Sequence, residues 1–145
     1  MIPPSPASAA PAAGALRPFR RPRVWVGTWA FGWVLCIVLS LVHPPSLGID
    51  VPDGDKIGHV FAYGALSAWA AWLFATRRAR VVACTALVLL GLLLEVAQGE
   101  FTSDRMMDPL DGWADLVGVL LGQLAGLGSA RGFLQRLDRR WFGSH

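Results

Sequence analysis

The chain has 145 residues, of which 54% are hydrophobic and only 16% are charged, and its net charge is +3. A mean hydropathy of +0.46 is unusual for a soluble domain of this size and places the chain in the membrane class. The sequence contains no nucleotide-binding loop, zinc-type cysteine cluster or nucleophile motif, so it lacks the signatures of the common enzyme classes that use them.

A short tail precedes four apolar segments. Residues 1–16 are rich in Pro and Ala, carry no charged side chain and are predicted to be disordered. The following domain, residues 17–128, contains apolar segments at about 24–42, 57–76, 81–98 and 109–127. The first segment is 19 residues long, which is enough to span a hydrocarbon core of about 30 Å and is longer than the apolar part of a signal peptide. We therefore predict four transmembrane helices.

The last segment, residues 129–145, has a different character. Its arginines alternate with Phe133, Leu134, Leu137 and Trp141 at helical spacing. This pattern predicts a basic amphipathic helix that lies on the membrane surface.

Positive charge is concentrated on one side of the predicted helices. Eleven of the 13 Lys and Arg residues lie before the first helix, in the turn 77–80 or in the C-terminal segment. The positive-inside rule then places both termini in the cytoplasm. The sequence thus predicts an all-α, multi-pass, four-helix bundle of the inner (cytoplasmic) membrane. Because topology explains the basic clusters, nucleic-acid binding is not indicated.

Separate parts of the sequence bring polar side chains to the opposite, exoplasmic end of this bundle. Ionisable groups inside apolar segments are costly, which makes them candidates for function. The candidates are Asp55, Lys56, His59, Tyr63, Glu95, Gln98, Arg105, Asp108, Asp111 and Asp115.

Asp55, His59 and Tyr63 recur every four residues and are predicted to share one face of the second helix. The Asp55 carboxylate would orient the His59 imidazole, as carboxylates do for catalytic or metal-bound histidines. The alternative is that Asp55 only caps the helix and His59 is only an interfacial histidine.

Glu95 and Gln98 are three residues apart and are predicted to share one face of the third helix. Glu95 lies about one turn inside the membrane boundary, where a carboxyl group should be protonated or paired. Arg105 and His59 are its predicted partners.

The fourth helix is predicted to begin with an acidic face. Asp108, Asp111 and Asp115 follow the i, i+3, i+7 pattern of one helix face. Asp108 suits an N-cap and Asp111 complements the helix dipole, but Asp115 is too deep for either explanation. Glycines that permit close helix contact continue this face: Gly118, Gly122 and Gly126.

The order and spacing of these residues resemble the VanZ-like family of small membrane proteins, over roughly residues 37–126. The residues that match are Asp55, Lys56, His59, Glu95, Gln98, Arg105, Asp108, Asp111 and Gly118. The chain has Asp115 where the family usually has Asn, which adds a negative charge. The family is named after a protein linked to low-level teicoplanin resistance. The resemblance therefore implies action at the bacterial cell envelope and a role in antibiotic resistance.

The first functional hypothesis is an enzyme or lipid-processing protein of the envelope. Glu95, His59 and Asp111 would act as acid–base groups on a lipid-linked or glycopeptide-related substrate. The predicted substrate-binding residues are Asp55, Lys56, Tyr63, Gln98, Arg105, Asp108 and Asp115. Arg105 would hold a phosphate or carboxylate, and the same carboxylates would suit a divalent metal ion.

Two other hypotheses use the same polar residues differently. A non-enzymatic protein would bind a lipid head group, an antibiotic or a partner protein. A proton or ion pathway would need polar groups through the whole depth of the membrane, and the cytoplasmic half offers little beyond Thr76, Thr85 and Gln123.

Overall fold

The computed structural model describes residues 14–42, 54–101 and 108–143. These residues form five α-helices: α1 (Pro22–Leu41), α2 (Gly54–Leu73), α3 (Arg77–Phe101), α4 (Pro109–Gln123) and α5 (Phe133–Phe142). Two short 3-10 helices, Leu124–Gly126 and Gly128–Gly132, join α4 to α5. Within the described ranges the chain forms no strand and only an isolated bridge between Leu16 and Phe74, which agrees with the all-α prediction.

Two of these helices are long and apolar enough to cross a membrane, namely α1 and α3. The segment from α4 to α5 becomes a third candidate if its two parts, which are bent by 82°, are counted as one span. A bend this large turns α5 across the axis of α4. The described residues thus support a helical membrane protein with two or three candidate spans.

The helix ends differ from the predicted bounds by a few residues. The α3 helix already begins in the basic turn, because the Thr76 hydroxyl accepts a hydrogen bond from the Ala79 N–H at 3.2 Å. The α2 helix begins at Gly54, so Asp55 lies in its first turn and not at the N-cap position that the alternative gave it.

Helices α2 and α4 pack with their backbones nearly in contact. A Cβ atom on Gly118 would lie only 2.5 Å from the Val60 carbonyl oxygen, and one on Gly122 would overlap the Gly64 carbonyl oxygen. Larger side chains at these positions would force the helices apart. The predicted glycine face is therefore confirmed, and it fixes the register of α2 against α4.

The C-terminal helix is docked on the start of α1. Leu134 is fully buried in an apolar cluster with Trp25 and Leu73. Asp138, only 2% exposed, accepts hydrogen bonds from the backbone N–H groups of Arg20 (2.6 Å) and Arg21 (3.2 Å) and from the Trp25 indole (2.8 Å).

Burial by itself raises the pKa of Asp138. The three hydrogen bonds together lower the pKa by more than burial raises it, so the pKa lies below its usual value. The sequence predicted an amphipathic helix here without indicating this buried carboxylate. One face of α5 therefore packs against the rest of the protein.

Candidate functional site

The candidate residues that the structure describes gather at one end of α2, α3 and α4. This is the end opposite the basic turn and the C-terminal helix. Arg105 lies outside the described residues, so its predicted role stays a prediction. We use the name His–carboxylate cluster for His59, Glu95, Asp111 and Asp115.

His59 lies between two aspartates of α4. Its Nδ1 atom is 2.8 Å from Asp115 Oδ1, and its Nε2 atom is 3.8 Å from Asp111 Oδ2. Asp115 is 2% exposed and the His59 side chain is 15% exposed, so the shorter contact is partly buried between two helices. In the neutral imidazole this carboxylate holds the proton on Nδ1, which leaves the Nε2 lone pair facing Asp111.

This arrangement corrects the prediction that Asp55 orients His59. The Asp55 side chain is about half exposed and forms an ion pair with Lys56 at 3.4 Å. The i, i+4 spacing showed only the neighbour on the same helix, whereas the hydrogen-bonding carboxylate comes from α4. The signal that would have revealed it is the similar depth of His59 and Asp115 in adjacent antiparallel helices.

Glu95 brings a third helix to the cluster. It is 5% exposed, and its Oε2 atom accepts a hydrogen bond from the Asp108 N–H at 3.2 Å. One ligand-type atom from each of His59, Glu95 and Asp111 lies within 4.8 Å of the other two. The expected proximity of His59 to Glu95 is therefore observed, whereas the backbone partner at Asp108 was missed.

Lys56 lies among the carboxylates at the outer rim. Its Nζ atom is 3.4 Å from Asp55, 3.1 Å from Asp108 and 3.6 Å from Asp111. Asp108 caps α4 as predicted, because its Oδ1 atom accepts a hydrogen bond from the Leu110 N–H at 2.9 Å. That hydrogen bond, together with Lys56, lowers the pKa of Asp108 below its usual value.

Tyr63 and Gln98 border the cluster. The Tyr63 ring is buried and stacks parallel to the His59 ring, with 6.3 Å between ring centroids. The Gln98 side chain donates a hydrogen bond to the Ser40 carbonyl oxygen at 2.8 Å and so ties α3 to α1. Tyr63 thus shares the surroundings of His59, whereas the Gln98 contact joins two helices.

Two cavities flank the cluster. One of about 240 Å³ is lined by Asp55, His59 and Tyr63 of α2 and by Ser40 of α1. The other, of about 480 Å³, has Glu95 among largely apolar side chains of α3 and α4. A larger apolar cavity of about 710 Å³ lies between α1 and α3 near the basic turn, away from the cluster.

The cluster contains buried oxygen atoms that lack hydrogen-bond partners. Among the described residues, neither Oδ1 of Asp111 nor Oδ2 of Asp115 has such a partner. An unsatisfied buried polar atom costs about 1–3 kcal/mol, so these carboxylates are not accounted for by hydrogen bonding alone.

Deeper between α2 and α4, the polar groups satisfy one another. The Gln123 amide donates to the Ser67 hydroxyl (2.9 Å) and carbonyl (3.0 Å) oxygens, and the Ser67 hydroxyl donates to the Val119 carbonyl oxygen at 2.7 Å. This group therefore has a structural role in joining the two helices.

Comparison of the chain with models of protein families, with curated proteins and with solved structures finds no match in any of the three.

Proposed function

We propose that the chain is a VanZ-like, four-helix protein of the bacterial cytoplasmic membrane, with both termini in the cytoplasm, that binds or processes an envelope component. The separation of charge along the helices supports this arrangement. The basic turn and α5 lie at one end of the bundle, and the His–carboxylate cluster lies at the other. The cluster would then face the outside of the cell.

The hydrogen bond between His59 and Asp115 carries the functional part of the proposal. A buried carboxylate that fixes the imidazole leaves the second ring nitrogen available for proton transfer. Asp111 lies 3.8 Å from that nitrogen, and Glu95 has a carboxylate oxygen within 4.8 Å of the imidazole and of Asp111, which is close enough to share a ligand. The 240 Å³ cavity beside His59 gives a reacting group access to it.

Lys56 and the cavity beside Glu95 indicate the chemical class of the ligand. The partly exposed Lys56 is ion-paired with three carboxylates, so a phosphate or carboxylate of a head group would meet it together with the predicted Arg105. The 480 Å³ cavity is lined by Val88, Leu92 and Trp113, which suit an acyl or isoprenoid chain. A lipid or lipid-linked envelope component combines both features.

Binding without chemical conversion is the second candidate, and the apolar lining of the cavity beside Glu95 favours it. An ion pathway is less well supported, because α2 and α4 touch at Gly118 and Gly122 directly below the cluster. Such close backbone contact leaves no space for a file of water molecules between these helices.

The test uses the purified chain in nanodiscs that contain a bacterial envelope lipid extract. Mass spectrometry measures the lipids that remain bound and any product formed. We expect selective retention or conversion of a lipid by the wild type, reduced at least tenfold in His59→Gln and unchanged in Glu100→Gln, which removes an exposed carboxylate outside the site. Retention without product would favour the binding role, and identical lipid profiles for all variants would refute the proposed function.

A further inference from the structure

The ligand-type atoms of His59, Glu95 and Asp111 come from three different helices and converge on one point. They lie within 4.8 Å of one another, and the Glu95 residue is 5% exposed while the Asp111 side chain is 12% exposed. We propose that these three side chains bind a divalent transition-metal ion, an inference that rests on the proposed function because it assigns the metal to the same site. Bonds of about 2.0–2.2 Å to nitrogen and oxygen set tetrahedral ligand atoms about 3.4 Å apart, so atoms at the 4.8 Å limit would move together by about 1.4 Å on binding.

The orientation of His59 is that of a metal ligand. Its Nδ1 atom is held by Asp115 at 2.8 Å, and its Nε2 atom faces Asp111. Metal-binding histidines usually donate their other N–H to a carboxylate, which fixes the ring and raises its basicity. Asp115 provides this support from a position that is almost fully buried.

A separate observation points to a missing cation. The Oδ1 atom of Asp111 is buried and has no hydrogen-bond partner among the described residues, although Lys56 lies 3.6 Å away. The Lys56 ammonium is shared with Asp55 and Asp108, and its shortest contact is to Asp108 at 3.1 Å. In the part of the chain that the structure describes, Lys56 is the only Lys or Arg that forms ion pairs with Asp55, Asp108 and Asp111, so three carboxylates share one ammonium group there.

The donor set selects the kind of ion. One imidazole and two carboxylates suit Zn²⁺ or Mn²⁺, whereas Mg²⁺ and Ca²⁺ prefer oxygen ligands alone. Three protein ligands also leave a coordination position for a water molecule or for an oxygen of the ligand. The metal ion would thereby join the phosphate or carboxylate of an envelope lipid to the cluster.

The experiment is a metal titration of the tag-free chain in detergent after treatment with EDTA. Competition with a chromogenic chelator measures Zn²⁺ affinity, and electron paramagnetic resonance counts bound Mn²⁺. We expect one ion per chain, bound at least tenfold more weakly in His59→Gln, Glu95→Gln and Asp111→Asn. Asp115→Asn should weaken binding about tenfold through the imidazole, whereas Glu100→Gln, which removes an equal charge from an exposed position outside the site, should not.

Two controls keep the result interpretable. Zn²⁺ should raise the melting temperature of the wild type but not that of His59→Gln, which separates loss of binding from loss of folding. Replacement of His43 and His145, the two other histidines of the chain, should leave binding unchanged. Absence of binding, or equal binding by all variants, would overturn the metal site.

The lipid-retention assay with and without EDTA separates this inference from the proposed function. Lipid retention that falls in EDTA and returns with Zn²⁺ supports both. Retention in EDTA by a chain that binds no metal overturns only the metal site. Cluster-dependent Zn²⁺ binding without lipid retention supports the metal site and refutes the proposed function.

Discussion

The contact between His59 and Asp115 should respond very differently to the loss of each partner. In the wild type, Asp115 Oδ1 lies 2.8 Å from the imidazole, while Oδ2 has no hydrogen-bond partner among the described residues. His59→Leu would leave a buried carboxylate without the imidazole, at a cost of about 3–5 kcal/mol. Asp115→Asn would keep an oxygen that accepts from Nδ1–H and would remove the buried charge.

We therefore expect Asp115→Asn to remain within about 1 kcal/mol of the wild type. The double variant His59→Leu/Asp115→Leu should recover about 2 kcal/mol or more relative to His59→Leu, because apolar side chains replace both members of the pair. Asp55→Asn is the control, since the partly exposed ion pair with Lys56 should contribute no more than about 1 kcal/mol.

The measurement is reversible unfolding in mixed micelles, followed by tryptophan fluorescence. The reasoning fails if Asp115→Asn and His59→Leu cost the same, about 0.6–1.7 kcal/mol, because the pair would then be an ordinary hydrogen bond between membrane helices. If Asp115→Asn instead keeps its stability but loses ligand or metal affinity, the buried acid is retained for function.

Three further predictions concern packing, pH dependence and topology. Gly118→Leu should destabilise the fold by about 1–3 kcal/mol in the same unfolding assay, because its Cβ would meet the Val60 carbonyl oxygen. The control is Gly58→Ala, whose Cβ meets nothing within 4 Å and which should be neutral or stabilising. Asp138→Asn should be less stable than the wild type near neutral pH. Because the pKa of Asp138 is lowered in the folded protein, this difference in stability should be present above about pH 4 and should disappear as the pH falls through the folded-state pKa. A difference in stability that is independent of pH would contradict this. A green fluorescent protein fused to the C-terminus should fluoresce, and alkaline phosphatase inserted at residues 43–53 should be active, whereas the opposite pattern would reverse the proposed topology.

Patterns within one helix were readable from the sequence. Asp108 followed by Pro109 predicted the start of α4, and the spacing of Gly118 and Gly122 predicted its contact face. These features depend on neighbours three to four residues away, which helix geometry fixes in advance. The sequence by itself therefore determined the all-α character and the end of the bundle where polar residues collect. Of the four transmembrane helices that it predicted, the described residues support two or three as candidate spans.

The hydrogen-bond partners across helices were decided by the tertiary structure. The partner of His59 is Asp115 rather than Asp55, Glu95 accepts the Asp108 N–H, and a buried Asp138 docks α5 on α1. Each depends on the rotation and register of one helix against another. Helical periodicity cannot specify the rotation and register of one helix against another. For α2 and α4, the close backbone approach at Gly118 and Gly122 fixes both.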